Sequence, residues 1–330
     1  MALNQKQDTS NYCDKKPMKK LYVCALVLVM AFLCAHEGVA QHNIVYSQYM
    51  FNGLLINPAY AGAHVQLSAS LNYRNQWVNF DGAPKTAVFG IHSSFRKERL
   101  GLGMMVTSDK IGSYTNTGVF WSYAYRIKTL RGGVFSMGLQ AGFNNFNANF
   151  SELRLKADAD PMFNGFFNEF RPNFGGGVFY YTKKMYAGFS VPTILTQEEF
   201  FKSSFSQLAL PRVYYLTAGT YLPLDRMEKV KLNPSFLLRV QDGTPLSADI
   251  NMNVVFYDLI SAGLSYRTGD AVASILGFKL SEKFQFVYSY DWTTSALNQY
   301  SRGTHEFMIN YRTRLRRVHK DADCPYYFTH

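Results

Sequence analysis

The residues that could activate a nucleophile are few and poorly placed for one another. Seven histidines are spread through 330 residues, whereas a Ser/His/acid set has to be gathered at one point. His92 and Ser94 fall on one face of an alternating segment whose other face is Ala87, Phe89, Ile91 and Phe95. His305 and Glu306 are adjacent, so in an extended chain they project to opposite sides and form no dyad. Asp158 and Asp160 could ligate calcium in a loop, but two carboxylates without further oxygen ligands are ordinarily solvated. Gly175-Gly176-Gly177 opens an extended segment rather than a helix, which fails the context of a phosphate-binding loop. Close backbone approach explains it better, as it does Gly101, Gly103 and Gly263. No catalytic residue, cofactor site or metal set is expected, and the chain reads as a non-enzyme.

The cysteines, Cys13, Cys24, Cys34 and Cys324, depend on export. Met18-Lys19-Lys20, the apolar run Leu21 to Ala35 and Gly38-Val39-Ala40 before Gln41 form a charged start, a hydrophobic stretch and a small-x-small cleavage site. This predicts a signal peptide over 1–40, with 18–40 its true extent, 1–17 an upstream extension and cleavage between Ala40 and Gln41. The apolar run falls short of the roughly 20 residues that a spanning helix needs. Cys324 alone then remains, so neither an intrachain disulfide framework nor a zinc cluster is available. With five basic and three acidic residues lost, 29 basic and 20 acidic residues leave a net charge of +9, against +11 for the whole chain. Those charges are scattered without a nucleic-acid reader motif. The basic run Arg312, Arg314, Arg316, Arg317 and Lys320 reads as a solvated tail beside a membrane, and no nucleic-acid partner is expected.

The elements that would position anything else are strands. Aromatic residues make up 16% of the chain and charged residues 17%, a balance that suits half-buried pleated surfaces. The mean hydropathy of −0.14 argues against a polytopic helical protein. It leaves room for a barrel, whose strands average polar and apolar faces. From about residue 64 the chain divides into alternating segments of about ten residues. In 283–292, Phe284, Phe286, Tyr288, Tyr290 and Trp292 oppose Lys283, Gln285, Ser289 and Asp291, with Val287 the one apolar residue on the polar face. In 247–256, Ala248, Ile250, Met252, Val254 and Phe256 oppose Ser247, Asp249, Asn251 and Asn253. A soluble sandwich also alternates. Aromatics toward strand ends on one face, and Arg, Asp, Asn and Glu on the other, favour a transmembrane antiparallel β-barrel of about 14 strands over 64–313.

Tight connections are expected at 96–99, 128–131, 183–184, 257–258 and 281–282, and long ones at 144–170, 193–210 and 293–302. Short periplasmic turns and longer external loops alternate in this way, which puts both termini, including the basic tail 314–330, in the periplasm. The segment 144–170, rich in Asn and Phe, is expected to be an external loop that either carries recognition or folds into the pore. Phe200, Phe201 and Phe205 in 193–210 are either partner anchors or packing at the barrel mouth.

Residues 46–86 do not fit a generic strand. They read Tyr46-Ser47-Gln48-Tyr49-Met50-Phe51-Asn52, then Ile56-Asn57-Pro58-Ala59-Tyr60-Ala61-Gly62, Arg74-Asn75-Gln76-Trp77 and Gly82-Ala83-Pro84-Lys85-Thr86. These motifs resemble the PorP/SprF family of outer-membrane proteins of the type IX secretion system. Leu100-Gly101-Leu102-Gly103, Asp109-Lys110-Ile111-Gly112 and Cys324-Pro325 are similar to later family elements, and the resemblance covers 41–330. Gly53 stands where the family often has Pro. The resemblance implies an outer-membrane barrel of a Gram-negative bacterium working with the secretion and gliding machinery. Its partners would be machinery components, outer-membrane lipid and a secreted or surface-anchored cargo, adhesin-like, with a C-terminal sorting domain. An outer-membrane channel or hydrophobic-solute transporter is the alternative.

Asn57-Pro58 favours an extended residue and a turn, and Tyr60 with Gly62 suits a compact element. Residues 41–63 are therefore expected to form a periplasmic or lumen-inserted segment, docking a partner or sealing the barrel end. Candidate docking residues are Gln48, Tyr49, Met50, Asn52, Asn57, Pro58, Tyr60, Gly62, Arg74, Trp77, Gly82 and Pro84.

Overall fold

A computed structural model describes residues 45–64, 67–95, 98–130, 132–149, 166–195, 212–241 and 244–313. The leader with Ala40 and Gln41, Asp158 and Asp160, Phe200, Phe201 and Phe205, and the tail with Cys324 lie outside them.

Among the described residues one sheet contains every strand. It begins with β1 (Leu67–Asn75), β2 (Lys85–Phe95), β3 (Leu100–Ile111), β4 (Tyr114–Lys128) and β5 (Val134–Asn149). It continues with β6 (Phe166–Tyr181), β7 (Met185–Val191), β8 (Val213–Thr220), β9 (Leu222–Pro223) and β10 (Val230–Gln241). It ends with β11 (Ser247–Phe256), β12 (Ile260–Arg267), β13 (Ala271–Lys279), β14 (Phe284–Thr293) and β15 (Thr304–Thr313). Neighbours in sequence pair antiparallel, β15 pairs β1, and the two-residue β9 is an appendage of β10. The other 14 strands close into a barrel with no free edge. The antiparallel barrel expected from the alternation is thus the fold. Strand ends fall within a few residues of the sequence reading except at one place. β5 runs to Asn149 and β6 starts at Phe166, so 144–149 and 166–170 are strand, not loop. Asn disfavours strands as an isolated residue, but here Asn144 and Asn145 lie opposite Arg171 and Phe170, and cross-strand pairing overrides the local preference.

The alternation resolves into two surfaces. On β14, Phe284 and Trp292 are exposed while Gln285, Val287, Ser289 and Asp291 are buried. On β11, Ile250, Met252 and Phe256 are exposed, with Asp249, Asn251 and Asn253 buried. On β4, Trp121, Tyr123, Tyr125 and Ile127 point out, whereas Ser122, Ala124 and Arg126 point in. An apolar exterior around a polar interior is the arrangement that a bilayer demands of a barrel.

Antiparallel order also sorts the connections into two ends. The described strand ends that flank 76–84, 112–113, 150–165, 192–212, 242–246, 268–270 and 294–303 gather at one end, and these include the longest intervals between strands. The strand ends that flank 96–99, 129–133, 182–184, 221–229, 257–259 and 280–283 gather at the other, with the start of β1 and the end of β15. The tight turns expected from sequence all fall at this second, short-turn end.

Candidate functional site

The inward residues of a water-filled pore would be wet, and these are not. Ser289, Glu306, Asn253 and Ser136 are each 0% exposed. What covers the wall is the chain itself. Residues 46–64 are buried throughout and form three single turns of 3-10 helix, Tyr49–Phe51, Gly53–Leu55 and Pro58–Tyr60. The local sequence dictates this shape. Asn52 Oδ1 accepts from the main chain of Leu54, and Asn57 Oδ1 from that of Ala59, each capping a turn. Pro58 stands at the first position, where a missing N–H costs nothing.

Each cap then uses its amide nitrogen on the wall. Asn52 Nδ2 donates to Ser70 Oγ of β1 at 2.6 Å, and Asn57 Nδ2 to the Val178 carbonyl of β6 at 3.0 Å. Wall hydroxyls bond the segment's orphan carbonyls: Ser190 of β7 to Ile56 at 2.6 Å, and Ser136 of β5 to Ala59 at 2.7 Å. Asn251 of β11 donates to the Tyr49 hydroxyl at 2.6 Å. Anchors on β1, β5, β6, β7 and β11, with β14 and β15 below, surround the segment and place it inside the lumen. Close approach is possible because inward wall positions are glycine. A Cβ at Gly101 would strike the Ala61 carbonyl, and one at Gly138 the main chain of Pro58 and Ala59. Gly62 itself turns at φ +70.

The segment's two ends differ in charge. Ser47 and Gln48 meet the wall near the long-loop end, where Arg74 pairs with Asp291 at 2.8 Å and with Glu306 at 2.7 Å. Arg267 pairs with Asp249 at 3.0 Å. Glu306 accepts the main-chain N–H of Ser47 at 2.9 Å and of Gln48 at 3.3 Å, while Ser47 Oγ donates to Asp291 at 2.7 Å. Gln48 Nε2 donates to Ser289 Oγ and to the Glu306 carbonyl. Charges buried this deeply are tolerable because each has a counter-charge within ion-pair distance. His64 lies at the short-turn end. Its Nε2 accepts from Arg312 Nη2 at 2.7 Å and stands 2.6 Å from the Tyr60 hydroxyl. A guanidinium only donates, so this nitrogen is unprotonated and the imidazole is neutral. The His92 ring stacks on it at 5.6 Å, with His92 Nδ1 accepting the Gly62 N–H at 3.2 Å.

Gln48, Tyr49, Met50, Asn52, Asn57, Pro58, Tyr60 and Gly62 therefore sit in the lumen, and Arg74 in the charge cluster beside them. Trp77, Gly82 and Pro84 stand apart, in the β1–β2 connection. There the Trp77 N–H donates to Thr304 Oγ1 at 3.2 Å, the Gly82 carbonyl accepts from Gly112, and the Pro84 carbonyl accepts from Gln76. Ser47, Asp249, Arg267, Asp291 and Glu306 are not among the candidate docking residues read from the sequence. For the four charged ones the signal was full charges of both signs at inward strand positions, paired only once the barrel closes; uncharged Ser47 carried no such signal. Among the described residues no cluster of three His, Cys, Asp or Glu side chains could hold a metal ion.

The family model described as "Type IX secretion system membrane protein PorP/SprF" matches residues 38–311. The chain belongs to the PorP/SprF family. No curated protein sequence matches it. Among solved structures, the "CymD monoaromatic hydrocarbon channel" is 13% identical with a TM-score of 0.44, covering 85% of this chain and 96% of that one. The "KdgM porin" is 12% identical with a TM-score of 0.37, covering 75% and 99%. The Acinetobacter baumannii outer membrane protein Omp33 is 9% identical with a TM-score of 0.41, covering 76% and 99%. As a PorP/SprF member the chain is a membrane component of the type IX secretion system, built as an outer-membrane barrel with an occupied lumen.

Proposed function

We propose that this PorP/SprF barrel is a non-enzymatic, non-conducting support for the secretion or surface anchoring of an adhesin-like cargo with a C-terminal sorting domain. The observation that carries this reading is the lumen segment: wall and segment bury one another, so the polar interior is a packed core rather than a solute path. In this reading a signal peptide exports the chain and both termini are periplasmic. The long loops face outward to meet cargo, and the short-turn end meets secretion or gliding components. The motif residues of 48–62 then act by seating the segment, which shapes the barrel that partners recognise.

Deletion of the gene, with complementation by wild type, tests the reading. Surface display of one cargo should be lost and restored, with solute uptake unchanged. Loss of uptake with display intact would favour the channel alternative. Complementation by Asn57→Ala or Tyr60→Ala with display and barrel assembly both undiminished would remove the proposed role of the segment.

A further inference from the structure

The short-turn end holds a cavity of about 510 Å³ whose lining includes Glu98, Arg99, Tyr125, Arg126, Ile127 and Lys128. Its charges do not balance. Lys128 Nζ pairs with Glu98 at 3.1 Å, and that uses the one acidic residue in the lining. Arg126 is buried, and its Nη atoms donate to main-chain carbonyls, Nη1 to Gly62 and Nη2 to Leu100 at 3.2 Å. Its Nε has no hydrogen-bond partner. Among the described residues no carboxylate pairs with Arg126 or with Arg99. A guanidinium buried beside neutral carbonyls leaves its charge uncompensated, a costly state unless an anion completes it.

The position of the cavity narrows the anion. It sits where β4 ends, so its lining joins inward Arg126 to Tyr125 and Ile127, which stand on the outward, lipid-facing surface. The next turn along this rim adds Lys183 and Lys184. Two guanidiniums favour a phosphate group, whose oxygens they meet in a fixed fork. We infer that the cavity is a binding site for the phosphodiester of an anionic glycerophospholipid, drawn from the leaflet at the short-turn end. The headgroup lies against Arg99, Arg126 and Lys128, and the acyl chains run outward along Tyr125 and Ile127. The site is independent of the cargo reading.

The test uses the mature chain purified in neutral detergent, with lipid retention read by native mass spectrometry. The probes are short-chain phosphatidylglycerol, phosphatidylcholine with the same chains, and inorganic phosphate as competitor. Phosphatidylglycerol should be retained over phosphatidylcholine, and Arg99→Gln should weaken it about tenfold, the scale of one charge-assisted hydrogen bond. Arg126→Gln should weaken it further, but it also touches the lumen segment. Arg99 has no ion pair among the described residues, so its variant separates lipid binding from folding. Equal retention of the two lipids, undiminished retention in Arg99→Gln, or binding of inorganic phosphate without preference for phosphatidylglycerol would each overturn the assignment.

Discussion

Glu306 of β15 accepts the main-chain N–H of Ser47 at 2.9 Å, across 259 positions of sequence. The same carboxylate oxygen takes Arg74 Nη1 at 2.7 Å. One acidic side chain thus fastens the lumen segment to the last strand and the last strand to the first, which is where the barrel closes. At this point one carboxylate serves both the seating of the segment and the closure of the barrel.

Glu306→Gln keeps the shape and removes the charge, leaving Arg74 with Asp291 alone. Breaking one side of a buried pair costs about 3–5 kcal/mol. The temperature at which the folded band converts to the unfolded one in a heat-modifiability gel should fall, and Glu306→Gln/Arg74→Gln should recover part of the loss. An unchanged transition in the single variant would show that the cluster does not hold the barrel.

Gly138→Val places a branched side chain against Pro58 and Ala59. The barrel should still assemble, because the outward face is untouched, but the segment should be displaced. Ala63→Cys, at a position buried at 0% exposure, reports this in a background where Cys13, Cys24, Cys34 and Cys324 are all serine. It should resist maleimide in the parent and label in the Gly138→Val variant. Gly176→Ala is the control, since a Cβ there meets nothing nearer than 3.6 Å. Equal labelling in parent and Gly138→Val would refute the seating geometry.

Much of the barrel was legible because its strands carry their own signal. Phe284 to Trp292 alternate with Gln285 to Asp291 whatever else the chain does, and closure turns that alternation into a lipid face and a lumen face. Asn144 to Asn149 misled, since strand character there comes from pairing with β6 and not from the residues. Asn57-Pro58 marked the lumen segment as something other than a strand. Its place inside the barrel rests on Ser136, Ser190 and Glu306, partners 77, 134 and 259 positions away from the residues they bond. No local pattern encodes such pairs.

Orientation is open to the same labelling chemistry. Leu130 lies in the 129–133 turn at the short-turn end and is fully exposed; Phe80, in the β1–β2 connection at the opposite end, is also exposed. In whole cells a membrane-impermeant maleimide should reach Phe80→Cys, and it should reach Leu130→Cys only after the outer membrane is breached. The reverse order would place the termini outside.

Asn57→Ala removes a turn cap and the bond to Val178. A cap of this kind contributes about 1 kcal/mol and a neutral hydrogen bond a similar amount. The heat-modifiability transition should drop less than in Glu306→Gln, with assembly preserved. A drop as large as that of Glu306→Gln would mean that Asn57 does more than cap and anchor one turn.

The most direct measurement is planar-bilayer conductance of the protein purified from outer membranes, beside a variant lacking residues 41–63. A lumen packed with its own segment predicts a silent wild type and stepwise conductance in the deletion. Wild-type steps equal to those of the deletion would contradict the account.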